Sequence, residues 1–186
     1  SERIESNLLK ETFPELENKI ICVYQGAVLK GRGIEPTLNA MREEKSIALV
    51  VLGDGPDMKH YQKLAEEYRV ADRTRFMGRI DYSELNKYTA SADVGICFIE
   101  PISFSYQLAL PNKLFEYIMA RVPVLATNLP AMEPIINKHN VGLAIPHNST
   151  ANEIAQAIID LHQNKAYYSA ECDRAAHIFN YEANKS

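Results

Sequence analysis

Short apolar runs alternate along the chain with stretches whose apolar residues recur every three or four positions. The runs fall at residues 20–28, 47–52, 74–77, 94–99, 122–127 and 142–145. The helical spacing falls at 35–43, 58–68, 82–92, 113–120, 132–139 and 151–164, with a further helix over 166–180. Strand and helix signals in this alternation point to βα units and a parallel sheet. Ala48-Leu49-Val50-Val51-Leu52 is apolar throughout rather than at every second position, which marks a strand covered on both faces. The predicted fold is therefore α/β, a doubly wound, Rossmann-like, mainly parallel sheet of about six strands with helices on both faces. Residues 1–19 are polar and read as a lead-in, 20–165 as the Rossmann-like domain, and 166–186 as a C-terminal helical tail.

Ligands of such sheets bind beyond the carboxyl ends of the strands, so the segments that follow each strand carry the chemistry. In Gly26-Ala27-Val28-Leu29-Lys30-Gly31-Arg32-Gly33, Gly26 and Gly31 have the glycine spacing of a P-loop. Arg32-Gly33 stands where Lys-Ser or Lys-Thr would hold magnesium, so an NTP-hydrolysing loop is not expected. The glycines still let backbone approach a phosphate, and Arg32 can fork onto its oxygens. The same residues also read as a plain β–α turn with Lys30 and Arg32 in solvent. Gly53-Asp54-Gly55 follows a clear strand, but Met58 occupies the place of a dinucleotide fingerprint's third glycine. A tight turn, or bare backbone lining a cleft, accounts for it. In Phe76-Met77-Gly78-Arg79-Ile80 a strand ends at Gly78, and the next backbone groups could face a base; Arg79 reads equally as solvated.

Leu110-Pro111-Asn112-Lys113-Leu114-Phe115-Glu116-Tyr117 reads as a loop entering a helix. At about 100° per residue, Leu114, Phe115, Ile118 and Met119 form one apolar arc, and Lys113 and Glu116 fall together outside it. One reading is a surface helix with Asn112 as N-cap and a Lys113–Glu116 ion pair worth about 0.2–0.5 kcal/mol. The other is an anion site at a helix N-terminus, with an ammonium beside it and a carboxylate one turn on. Asp93, before a strand, reads as a structural cap or turn residue. Phe98, Phe104 and Tyr106 read as packing residues.

Composition narrows the partners. The chain has 186 residues, 46% of them hydrophobic, enough for a substantial core. Its net charge of −4 argues against nucleic acid as a partner, so phosphate binding has to be local. No apolar run approaches the ~18 residues of a transmembrane span. The charged start, Ser1-Glu2-Arg3, lacks the apolar core of a signal peptide, and the missing initiator Met suggests a processed or truncated chain. The three cysteines, Cys22, Cys97 and Cys172, are odd in number and far apart, which favours a reducing compartment over a disulfide framework. The five histidines are scattered and form no metal-binding spacing, so no metal site is expected.

Taken in order, these motifs resemble the C-terminal, nucleotide-sugar-binding domain of the group 1 glycosyltransferases with the GT-B fold. They run Gly31-Arg32-Gly33, Leu52-Gly53-Asp54-Gly55-Pro56, Phe76-Met77-Gly78-Arg79, Ser91-Ala92-Asp93-Val94, Pro111-Asn112-Lys113-Leu114-Phe115-Glu116-Tyr117 and Val122-Pro123-Val124-Leu125-Ala126-Thr127. The likeness spans residues 19–146 and is to the Pro-Asn-Lys variant of the family. It implies that Lys30, Gly31, Arg32, Gly33, Asn112, Lys113 and Leu114 bind the donor diphosphate and Glu116 the ribose hydroxyls. Arg79 and Ile80 would face the base, and Gly26, Gly53 and Gly55 would line the cleft. No catalytic residue is assigned within this half, no metal or other cofactor is implied, and the nucleotide diphosphate-sugar is the donor substrate. Two departures stand out. Leu108 replaces the first of two glutamates that many members carry seven residues apart, and Ala27 replaces a basic residue. A sugar or lipid-linked acceptor would sit on an absent N-terminal domain. The parent enzyme would be cytoplasmic, peripheral to the membrane at most, and would serve polysaccharide or glycoconjugate synthesis. Two other classes share the fold. A sugar-nucleotide epimerase would need an acid/base carboxylate pair that this half does not offer. A receiver-like binding module would need an acidic cluster where only Asp54 stands.

Overall fold

The computed structural model describes residues 5–107 and 111–185; Leu108, and Ala109 and Leu110 beside it, lie outside the described residues. The chain opens with α1 (Leu8–Thr12) and a 3-10 turn at Pro14–Leu16. Then come β1 (Ile20–Gln25), α2 (Ile34–Glu43), β2 (Ile47–Leu52), α3 (Met58–Glu67), a 3-10 turn at Ala71–Arg73, β3 (Thr74–Gly78), α4 (Tyr82–Ala90) and β4 (Val94–Cys97). The second half holds α5 (Phe104–Gln107), α6 (Asn112–Met119), β5 (Val124–Thr127), α7 (Glu133–His139), β6 (Gly142–Ile145), α8 (Ala151–Gln163) and α9 (Lys165–Lys185).

The strands form one sheet in the order β3-β2-β1-β4-β5-β6, every neighbouring pair parallel. The fold is the expected α/β, Rossmann-like one. Two cores follow from the alternation of side chains along each strand. Ile21 and Val23 of β1 pack on one face with Leu114, Tyr117 and Ile118 of α6, Ile136 of α7 and Cys172 of α9. Ile20, Cys22 and Tyr24 pack on the other with Ile34 and Leu38 of α2, Tyr61 of α3 and Ile158 of α8. The three cysteines are buried, free thiols, and burial pushes Cys97 and Cys172 up to about 12. Asp93 is structural: its carboxylate accepts from the Ile21 N–H at 2.8 Å and from Lys165 Nζ at 2.8 Å, tying the starts of β1 and β4 to α9.

The polar opening segment contributes to the core. Leu9 and Leu16 are fully buried, and the Leu9 N–H donates to Ser91 Oγ at 3.0 Å. Single apolar residues among charges gave no periodic signal there. β1 stops three residues short of the apolar run, at Gln25. Gly26 takes φ 130°, and the Val28 N–H bonds to Asp54 O at 3.0 Å instead of joining the ladder. β4 stops at Cys97, and the Ile99 N–H donates to Thr127 Oγ1 at 3.1 Å. Apolarity reports burial, whereas a strand also needs its backbone groups in a ladder. No helix among the described residues is long and apolar enough to cross a membrane.

Candidate functional site

The chain winds from β1 outward to β3, then crosses back to place β4 on the other side of β1. The crevice at that reversal, beyond the carboxyl ends of the strands, is where open α/β sheets bind ligands. Here a cleft of about 510 Å³ is lined by Gln25, Gly26 and Ala27 after β1, Leu52, Gly53 and Asp54 after β2, Arg79 and Ile80 after β3, Leu85 of α4 and Glu116 of α6. Five residues singled out from the sequence, Gly26, Gly53, Arg79, Ile80 and Glu116, thus meet in one cavity.

Glycine is required where the loops stack. Gly53 takes φ 155°, and a Cβ there would sit 1.8 Å from Gly26 O. Gly55 lies elsewhere: it packs against Val28 and lines a neighbouring depression with Pro56, Phe76 and Gly78.

The loop that follows β4 meets the first glycine-rich loop on the far side of Gly26. The Glu100 N–H donates to Gly31 O at 2.8 Å. The Arg32 guanidinium stacks on the Tyr106 ring, 4.9 Å from its centroid, and its Nε donates to the Tyr106 hydroxyl at 3.2 Å. Gly33, at φ 98°, starts α2 with its backbone against Phe98. Lys30 is exposed, with its backbone N–H held by Asp57 Oδ2 at 3.0 Å. Phe98 is buried, whereas Phe104 is exposed.

The start of α6 departs from the capped surface helix in two ways. Pro111, at φ −71° and ψ 141°, holds extended backbone, so Asn112 is the first helical residue and its side chain makes no cap bond. The Leu114 N–H turns back to Pro111 O at 3.1 Å, while its side chain lies in the core. Lys113 is not on an open face. It is buried, its Nζ lies 4.0 Å from the centroid of the Tyr24 ring, and it makes neither a hydrogen bond nor an ion pair with Glu116. A Cβ on Gly26 would lie 3.6 Å from that ammonium. Burial lowers Lys113 to about 8, and Arg32 adds to the effect while Cys97 and Glu116 oppose it. Helical phase alone does not reveal this, because the carboxyl end of β1 covers the first turn of α6.

Glu116 is half-buried, and its carboxylate accepts from the Gln25 carboxamide, whose own oxygen accepts from Thr89 Oγ1 on α4. The neighbouring Tyr117 is fully buried. Its hydroxyl accepts from the Gln25 N–H at 3.0 Å and donates to Ile96 O at 2.9 Å, pinning α6 to β1 and β4. Gln25, Thr89 and Tyr117 were not among the residues expected at the site. Gln25 had a readable signal, a polar residue closing the apolar run Ile20-Ile21-Cys22-Val23-Tyr24 just before a glycine. Among the described residues no three His, Cys, Asp or Glu side chains come together as a metal site.

A family model described as "Glycosyl transferases group 1" matches residues 6–179. A GDP-mannose-dependent alpha-(1-6)-phosphatidylinositol monomannoside mannosyltransferase of Mycobacterium tuberculosis is 28% identical over 148 residues, which are 76% of this chain and 38% of that protein. This chain therefore spans well under half the length of that relative. Among solved structures, the C-terminal domain of the glycosyl transferase group 1 family protein LpcC from Francisella tularensis superposes with a TM-score of 0.72 at 16% identity, over 97% of this chain and 94% of that one. Anabaena Alr3699/HepE, in complex with UDP and glucose, superposes at 0.72 and 14% identity, over 92% of this chain and 46% of that one. These two likenesses bear on fold.

Proposed function

The chain belongs to the group 1 glycosyl transferases, and we propose that it is the donor-binding half of one, of the Pro-Asn-Lys kind, holding a nucleotide diphosphate-sugar in the cleft between Gly26, Gly53 and Glu116. The observation that carries this is the buried Lys113 ammonium. It has no hydrogen-bond partner, it lies under Gly26, and it shares its helix with a carboxylate in the adjoining cleft. A cation kept out of water without an anion is costly. A diphosphate at the start of α6 supplies that anion.

In this arrangement Arg32, Lys113 and the first N–H groups of α6 take the diphosphate, with Asn112, Lys30, Gly31 and Gly33 beside it. Glu116 accepts from the ribose hydroxyls, and the backbone at Arg79 and Ile80 faces the base. Negative charge builds on the leaving diphosphate as the glycosidic bond breaks, and preplaced cations lower the cost of that charge. The acceptor, a sugar or a lipid-linked sugar, belongs to a second domain of the whole enzyme, as do further catalytic groups. Surface polysaccharide or glycoconjugate synthesis at the cytoplasmic side of a membrane is the setting this chemistry fits. With Leu108 in place of a glutamate, Asn112 and Lys113 take over part of the donor contact.

The test is calorimetric titration of GDP and UDP into this chain. One of them binds, and Glu116→Ala weakens it by roughly tenfold or more, the loss of hydrogen bonds to a charged group. If neither nucleotide binds at millimolar concentration, the donor-site assignment is wrong.

A further inference from the structure

Gln25 is buried at the end of β1, a position where an amide is uncommon and an apolar side chain would serve packing alone. Each polar group of its carboxamide is turned to a chosen neighbour. The NH₂ faces Glu116, and the oxygen faces the hydroxyl of the buried Thr89. Only one direction satisfies this chain. A carboxylate accepts and cannot donate, so the amide must present its nitrogen to Glu116 and its oxygen to Thr89. Thr89 must then donate. Its Oγ1 also lies 3.1 Å from Leu85 O, so removal of the amide leaves that hydroxyl a partner within its own helix.

We propose that Gln25 is a positioning residue for ribose recognition, relaying a one-way hydrogen-bond chain from Thr89 on α4 to the Glu116 carboxylate and fixing that carboxylate toward the vicinal diol of a ribonucleotide. This rests on the donor-site reading of Glu116. The relay ends in the wall of the cleft, since Gln25 and Glu116 both line it. Glu116 is only half-buried, and apart from this amide no described residue hydrogen-bonds to its carboxylate. Held by Gln25 on one oxygen, it meets the diol already oriented, and the ordering cost is removed from binding.

The experiment compares GDP and UDP with their 2′,3′-dideoxy counterparts on the wild-type chain, Gln25→Leu, Thr89→Val and Glu116→Gln, with folding checked by circular dichroism. The wild type prefers the ribonucleotide by roughly tenfold or more. Gln25→Leu cuts that preference roughly 3–10-fold while leaving dideoxynucleotide affinity unchanged. Thr89→Val, which keeps Gln25 but leaves its carboxamide oxygen without an anchor, cuts it by a smaller factor and serves as the second test if Gln25→Leu does not fold. Equal weakening of both nucleotide forms in Gln25→Leu or Thr89→Val, or an intact preference in both variants, overturns the relay. An intact preference in Glu116→Gln, or binding by neither ribonucleotide, overturns the ribose reading itself and the relay with it. Loss of preference in Glu116→Gln alone removes only the relay.

Discussion

The Lys113 ammonium, unpaired by hydrogen bonds beneath Gly26, costs the free chain stability, and in the proposed donor site a bound diphosphate offsets that cost. Its lowering from 10.5 to about 8 corresponds to a penalty on the order of 3 kcal/mol at neutral pH. The stacking on Tyr24 offsets part of this, by about 0.5–2 kcal/mol. Lys113→Met should therefore raise the melting temperature of the free chain while weakening nucleoside diphosphate binding roughly tenfold or more, read by thermal unfolding and calorimetry. The pH dependence has a definite sign. The folded value lies below the unfolded one, so the unfolded chain holds more protons between about pH 8 and 10.5, and stability rises across that window. Binding runs the other way. A bound diphosphate favours the charged amine, so affinity falls as pH rises through about 8 in the wild type and not in Lys113→Met. The sequence supplied the identity of this residue but not its burial, since helical phase describes an isolated helix and Lys113 is covered by β1. Glu116 was legible because its position depends mainly on its own helix. Gln25 and Thr89 were not, because their meaning lies in a contact 64 residues apart in the chain.

At the level of elements, α6 matters most, because it carries Lys113 and Glu116 and is held by Tyr117. The Tyr117 ring fits only over a residue without a side chain: a Cβ on Gly95 of β4 would sit 2.5 Å from the ring. Gly95→Ala should therefore cost on the order of 1–3 kcal/mol by overpacking, measured by denaturant unfolding, and should weaken nucleotide binding by displacing α6 although Gly95 does not line the cleft. The alternation of strands and helices was readable because β1, β2, β4 and β5 are buried along their whole length and the longer helices bury one face. Ends were less readable. β1 and β4 stop short of their apolar runs, where Val28 and Ile99 send their N–H groups elsewhere, to Asp54 O and Thr127 Oγ1. The short helices at Leu8–Thr12 and Phe104–Gln107 carry too few apolar residues to show a period.

The whole molecule is a parallel sheet whose two cores hold the carboxyl ends of β1, β2 and β3 around one cleft, with α6 closing it from the far side of the winding reversal. Not every depression lies near this reversal. One of about 590 Å³, between the opening segment, Arg121 and α9, lies at the amino ends of the strands, where sheets of this kind do not place ligands. The donor nucleotide is therefore expected at the carboxyl ends of the strands and not at their amino ends. In an amide-resolved NMR titration with GDP or UDP, the signals of Gly26, Gly53, Arg79, Ile80 and Glu116 should shift together and saturate with one dissociation constant. The signals of Ser6, Leu8 and Ser169, at the opposite end, should stay fixed. Saturable shifts confined to that opposite end, or no shifts at millimolar nucleotide, would contradict the account.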